Sequence, residues 1–244
     1  MKVIVTAGGT VEPIDDVRSI SNNSTGRMGI TIANYLLQQN VEVIFVASKN
    51  IQQFLVNDSK LLHRVTITDV NSVMQSLENI LIKEKITAVI HSMAVSDYNV
   101  YGVCAGEQIE TIFSSPEVNY VHFINQFQSM TNQKLNSSHD ELYLRLTQAP
   151  KIIRYIKKWQ PETLLIGFRL LVNADDKQFE EATIKQQNLA NSDYVVANDL
   201  QDIQGDQHLT TIYNQGKVVK KNKTREELAQ TLWKLIQSDR RELR

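Results

Sequence analysis

Lys2-Val3-Ile4-Val5-Thr6-Ala7-Gly8-Gly9 and the residues just after it decide the fold. Mostly β-branched residues end on two glycines, which reads as a buried strand entering a tight turn. A polar, turn-prone stretch follows from Thr10 to Thr25, containing Glu12-Pro13, Asp15-Asp16 and Ser21-Asn22-Asn23-Ser24. Helical spacing begins only at Gly26, with Met28, Ile32, Ala33, Leu36 and Leu37 on one side. Working outward, strands are predicted over 42–47, near 65–67 and over 87–91, with a helix over 69–84. Leu142, Leu144 and Leu146 alternate as a strand over 141–147, and a helix is expected over 149–159. Beyond them come a strand over 163–170, a helix over 176–189, a strand over 193–197, a hairpin over 209–219 and a terminal helix from Thr224.

Strands and helices alternating at this pitch imply an α/β fold: a Rossmann-like, doubly wound, mostly parallel sheet with helices on both faces. The pattern degrades between Tyr98 and Gln133. Residues 99–133 are therefore expected to be an insertion or flap within a single domain over 1–244, with a small β-hairpin added near the end. Two small domains are the alternative.

Composition narrows the function. The chain has 244 residues, 42% of them hydrophobic, with 26 Lys+Arg against 27 Asp+Glu, a balance that excludes disordered and fibrous classes and gives no global pull toward nucleic acid. No stretch has the length and apolarity of a membrane span. Cys104, the only cysteine, fits a cytoplasmic protein without disulfides. A small-molecule enzyme is the first expectation.

Gly8, Gly9, Gly26 and Gly29 follow the first strand and open the first helix, the outline of a phosphate site built on backbone N–H groups. The plainer reading is a tight turn at Gly8-Gly9 and close helix packing at Gly29. Neither G-x-x-x-x-G-K-[ST] nor G-x-G-x-x-G occurs. Asp97 stands after the fourth strand, at the sheet edge where open α/β folds bind ligands, but such an acid is as often an N-cap. Asn198-Asp199 carries the same ambiguity, and Lys134 taken alone is a solvated loop lysine. The five histidines have no ligand spacing, so no protein-bound metal site is read. G-x-S-x-G is absent, as is Y-x-x-x-K: Tyr101 and Tyr155 have Ala105 and Trp159 four places on. Lys217, Lys220, Lys221 and Lys223 read as a solvated edge.

Taken together, Thr6-Ala7-Gly8-Gly9-Thr10, Glu12-Pro13-Ile14-Asp15, Val17-Arg18, Ile20-Ser21-Asn22 and Ser24-Thr25-Gly26-Arg27-Met28-Gly29 resemble the opening signature of phosphopantothenate-cysteine ligases. Ala94-Val95-Ser96-Asp97-Tyr98, Gly167-Phe168 and Ala197-Asn198-Asp199 recur in that family's order, so the likeness covers most of the chain. It implies a ligase of coenzyme A biosynthesis that joins 4'-phosphopantothenate to L-cysteine through an acyl-CMP intermediate, using CTP with Mg2+. A cytoplasmic homodimer of the stand-alone form, without a flavin-binding half, is expected. A non-catalytic nucleotide- or NAD(P)-binding Rossmann-like module is the alternative.

The resemblance also assigns residues. Asn22 would hold the acyl carbonyl, with Arg27 and Asn198 at the substrate, and Lys134 would close over the phosphates. Gly8, Gly9, Ser24, Gly26, Ala94, Asp97, Gly167, Phe168 and Lys185 would bind the nucleotide. Departures exist: Arg169-Leu170-Leu171-Val172 replaces the usual A-A-E-T, and the two later lysines of the family fall on Gln186 and Ala190, with Lys185 one place off.

Overall fold

The computed structural model describes residues 1–53, 55, 59–114, 119–127, 138–204 and 207–242. The first half carries β1 (Lys2–Ala7), β2 (Val11–Pro13), β3 (Ser19–Ser21), α1 (Arg27–Gln38), β4 (Glu42–Ser48), α2 (Lys49–Gln52), β5 (Leu62–Ile67), α3 (Val70–Lys83) and β6 (Ala88–His91). Then come β7 (Tyr98–Ala105), α4 (Gly106–Phe113), α5 (Tyr120–Asn125), β8 (Leu142–Gln148), α6 (Ile153–Trp159), β9 (Leu164–Leu171) and α7 (Asp176–Ala190). The chain finishes with β10 (Tyr194–Asp199), β11 (Ile203–Gln204), β12 (Gln207–Asn214), β13 (Lys217–Thr224) and α8 (Arg225–Glu242).

β1 lies well inside a nine-stranded sheet ordered β11-β12-β10-β9-β6-β1-β4-β5, with β13 paired to β12. The six strands from β10 to β5 are parallel, and β12 reverses against β10. Val3, Val5 and Ala7 face a core shared with Ile32 and Leu36 of α1 and Leu228 and Leu232 of α8. Ile4 faces the opposite core, with Val73 and Leu77 of α3 and Ile152 and Ile156 at α6. A central strand must be apolar on both faces, which is why the opening run is continuous and not alternating.

The doubly wound, mostly parallel sheet and the terminal hairpin expected from the sequence are present. Three local readings change. The polar Thr10–Thr25 stretch holds an antiparallel pair, β2 with β3. The segment read as an irregular insertion over 99–133 instead begins with a strand, β7, and reaches to β8, its partner in a ribbon separate from the main sheet. Period-2 alternation reveals that 142–148 is a strand, but not which strand it joins. Finally, the helix expected from Ala149 starts at Ile153, since Pro150 disfavours the helical conformation in the residue before it.

Candidate functional site

The site grows from the carboxyl ends of β1 and β6. Gly8 and Gly26 sit at φ +81° and +68°, in the left-handed region that favours glycine. A Cβ on either would come within 2.6 Å of the Ile51 side chain. Gly26 is the N-cap of α1 and offers no side chain to it, so the first-turn N–H groups of this 12-residue helix are not capped by their own chain. Gly29 serves packing: a Cβ there would lie 2.5 Å from that of Ala7. The close packing expected at Gly29 is present, and Gly8 takes the left-handed conformation of a tight turn.

β6 is tied to this turn by a ladder of bonds. Ala94 donates its N–H to the Gly8 carbonyl at 2.8 Å, and the Ala94 carbonyl accepts from Thr10 N–H at 3.2 Å. The same carbonyl accepts from the Asn22 amide nitrogen at 3.3 Å, while the Thr10 hydroxyl accepts from Ser96 N–H at 3.0 Å. The result is a cleft of about 290 Å³ lined by Glu12, Ile20 and Asn22 from the β2–β3 hairpin and Val95, Ser96 and Asp97 from the loop after β6. Tyr98, Val100 and Leu146 of the ribbon close its outer side.

Below the cleft, His91 is enclosed and its Nδ1 lies 3.1 Å from the Thr6 hydroxyl. Met93 N–H donates to that same hydroxyl at 3.2 Å. Burial holds the imidazole pKa down at about 4. The ring is therefore neutral near pH 7, sharing a hydrogen bond with the Thr6 hydroxyl through Nδ1. Glu12 is 5% exposed and accepts Val70 N–H at 3.0 Å. Burial raises its carboxyl pKa, and nearby Asp69 adds to the rise against the Val70 and Thr10 hydrogen bonds.

The residues singled out in the sequence fall into three groups. Asn22 and Asp97 line the cleft; Gly8 and Gly9 hold Ala94, whose carbonyl Asn22 reaches; Gly26 packs beside Gly8, and Ser24 and Arg27 flank the start of α1. Phe168 is half-buried against the core on the α1 side, and Asn198 is buried at the end of β10. Gly167 pairs with His91 in register, but the space above it is filled: a Cβ would meet Gln186 Nε2 at 2.4 Å and Ile153 Cδ1 at 2.7 Å. Lys185 is not brought to the cleft. Thr183, Gln187 and Ala190 form the buried face of α7, and at 100° per residue Lys185 points the opposite way, to solvent. Lys134 lies outside the described residues.

Two residues at the site were not legible as such. Glu12 appeared only inside the turn-prone stretch and the signature, and Lys151, ion-paired with Asp97 outside the cleft lining, carried no motif. The pairing depends on the chain returning from the ribbon: Ala149 N–H donates to the Asp97 carbonyl at 2.9 Å, which seats Lys151 beside Asp97.

Residues 1–109 and 125–239 match the family model described as the DNA/pantothenate metabolism flavoprotein C-terminal domain. The chain belongs to this family. The break in the match, 110–124, falls between the strands of the ribbon, so what is shared with the family is the sheet, the cleft and the ribbon strands.

A crystal structure of the DNA/pantothenate metabolism flavoprotein from Streptococcus pneumoniae is 32% identical, with a TM-score of 0.85, covering 98% of this chain and 99% of that one. The coenzyme A biosynthesis bifunctional protein CoaBC of Thermococcus kodakarensis is 28% identical over 238 residues, 97% of this chain and 51% of that protein. Phosphopantothenate–cysteine ligase 2 of Oryza sativa is 26% identical over 224 residues, 81% of this chain and 68% of that protein. The chain thus spans about half the length of the bifunctional relative. Among the described residues, no helix is long and apolar enough to cross a membrane.

Proposed function

We propose that the chain joins 4'-phosphopantothenate to L-cysteine, activating the carboxylate with a nucleoside triphosphate, CTP in preference to ATP. The observation that carries this reading is the Asn22 amide fixed on the Ala94 carbonyl at the rim of a cleft, beside the uncapped N-terminus of α1. Family membership and the names of the relatives support it.

In this scheme the phosphopantothenate carboxylate attacks the α-phosphate, releasing pyrophosphate and leaving an acyl-nucleotidylate. Asn22 keeps one amide N–H on Ala94 and turns the other toward the acyl oxygen. The first turn of α1 and Arg27 supply positive field for phosphate oxygens. Catalysis is then mostly positioning and charge stabilisation, which needs no nucleophilic side chain. Lys134 is assigned to the phosphates by the family resemblance alone.

Among the described residues, no three or more His, Cys, Asp or Glu side chains gather to hold a metal. Magnesium would arrive as the counter-ion of the triphosphate and offset part of its charge. The homodimer rests on the ribbon: Leu142, Leu144 and Leu146 share one of its faces and are 36–43% exposed, more than an isolated two-stranded ribbon readily leaves to water.

Pyrophosphate release from CTP on adding phosphopantothenate, with and without cysteine, tests the reaction. Release with phosphopantothenate and amide formation with cysteine are expected. Nucleotide binding without pyrophosphate release would establish the non-catalytic module instead, and equal or better kcat/KM with ATP would overturn the CTP preference.

A further inference from the structure

We propose that Glu12 receives the ammonium group of cysteine in the cleft and takes its proton before the amide bond forms, a role that rests on the ligase reading above. Cysteine reaches the site with its α-amino group mostly protonated, and a protonated amine has no lone pair to attack with. The cleft must therefore supply a proton acceptor, and positioned bases of this kind contribute roughly 10²–10⁴-fold.

The cleft lining contains two carboxylates and, among the described residues, no lysine or arginine. Asp97 is exposed at the rim and already paired with Lys151. Glu12 sits deeper, opposite Ile20 in the β2–β3 register, and both line the cleft with Asn22 and Ser96. Val70 N–H and the Thr10 hydroxyl engage the carboxylate, whose four lone-pair positions leave room for a cationic donor. The groups that face it are the Asp69 carboxylate at the start of α3, the Thr10 hydroxyl, the Val70 N–H and, across the cleft, Asp97; the facing β3 residue, Ile20, is uncharged. Burial strengthens its hold on a proton, and among the described residues no cation stands beside it to oppose this.

The step balances as follows. One ammonium proton passes to the Glu12 carboxylate, and the freed nitrogen lone pair forms the C–N bond at the acyl carbon. The acyl C–O bond to phosphate then breaks, its electron pair leaving with the nucleoside monophosphate. The nitrogen gives its surplus proton to the departing phosphate, and Glu12 returns its own to solvent.

Glu12 also supports α3 through Val70, so the test must separate the two roles. Glu12→Gln keeps a carbonyl acceptor for Val70 N–H and removes the charge and the base. In the 244-residue chain, single-turnover pyrophosphate release from CTP and phosphopantothenate is expected to be unchanged, while the cysteine step slows about 10²-fold or more. Hydroxylamine, a nucleophile largely neutral at pH 7, is expected to react equally fast with the intermediate on variant and wild type. Glu12→Asp is expected to recover part of the cysteine rate. Equal cysteine rates in Glu12→Gln and wild type, or a matching loss with hydroxylamine, would overturn the role of Glu12 while leaving the ligase reading intact. Absence of pyrophosphate release from the wild type would overturn both.

Discussion

The Asn22 amide and the Ala94 carbonyl, 72 residues apart in the chain, are joined by a hydrogen bond of 3.3 Å. That bond fixes the hairpin arm carrying Asn22 against the end of β6 and aims the rest of the amide into the cleft. Asn22→Asp removes the donor and sets a carboxylate against both the Ala94 oxygen and the acyl phosphate. Turnover is expected to fall about 10²–10³-fold. The thermal midpoint should barely move, because Asn22 is exposed. Steady-state turnover near the wild-type rate would remove Asn22 from the site.

Lys151 neutralises Asp97 where the nucleotide is expected to arrive. Lys151→Met leaves a bare carboxylate facing a polyanion, and the KM for CTP is expected to rise roughly 10-fold, in line with loss of one charge-assisted contact of about 1.5 kcal/mol. The exposed pair adds at most about 1 kcal/mol to stability, so urea unfolding should be nearly unchanged. The Asp97→Asn, Lys151→Met double variant is expected to bind CTP better than Lys151→Met alone, as calorimetry would show. No difference between the two would mean that the pair is remote from the nucleotide.

Gly29 lets α1 lie directly on the end of β1. Gly29→Ala places its methyl 2.5 Å from the Ala7 Cβ and 3.1 Å from the Ser92 hydroxyl, so α1 must shift. A loss of about 1–3 kcal/mol is expected from overpacking, measured by urea unfolding. Stability equal to the wild type would show that α1 moves away without penalty.

His91 makes stability depend on pH. Its pKa is about 4 in the fold against 6.5 ordinarily, so between these values the unfolded chain takes up a proton that the folded one resists. The contribution is complete above about pH 6.5, declines as pH falls toward 4, and reaches roughly 3 kcal/mol at saturation. His208, also held at about 4, acts in the same direction, whereas Glu12, shifted up, opposes it at the acid end. His91→Leu is expected to flatten the dependence of the urea midpoint on pH between 6.5 and 4. An unchanged slope would mean that other groups set it.

The ribbon face carrying Leu142, Leu144 and Leu146 gives the dimer its test. Leu144→Lys is expected to shift sedimentation toward the monomer while leaving far-UV circular dichroism intact. A wild-type protein that sediments as a monomer would overturn the homodimer.

The parallel sheet was legible in the sequence because both-sided burial writes itself locally: Val3-Ile4-Val5 and Val43-Ile44-Phe45-Val46 can only be central strands, and α1 and α3 show their apolar faces residue by residue. The glycine turn was legible for a similar reason, since left-handed backbone at Gly8 and Gly26 demands a residue type. Other features had no local signature. Leu142, Leu144 and Leu146 alternate whichever strand they join, and only the tertiary structure paired them with β7, away from the sheet. Lys185 stood within one residue of a family position, yet the turn of α7 sends it to solvent. Glu12 in the cleft and Lys151 beside it were placed by contacts with Val70 and Asp97, 58 and 54 residues away. Sequence alone determined the central parallel strands and the main helices that cover them, because backbone conformation and burial pattern are properties of neighbouring residues. Which polar groups share the cleft was decided by the tertiary structure, because burial and partner charges depend on segments that the chain brings together only when folded.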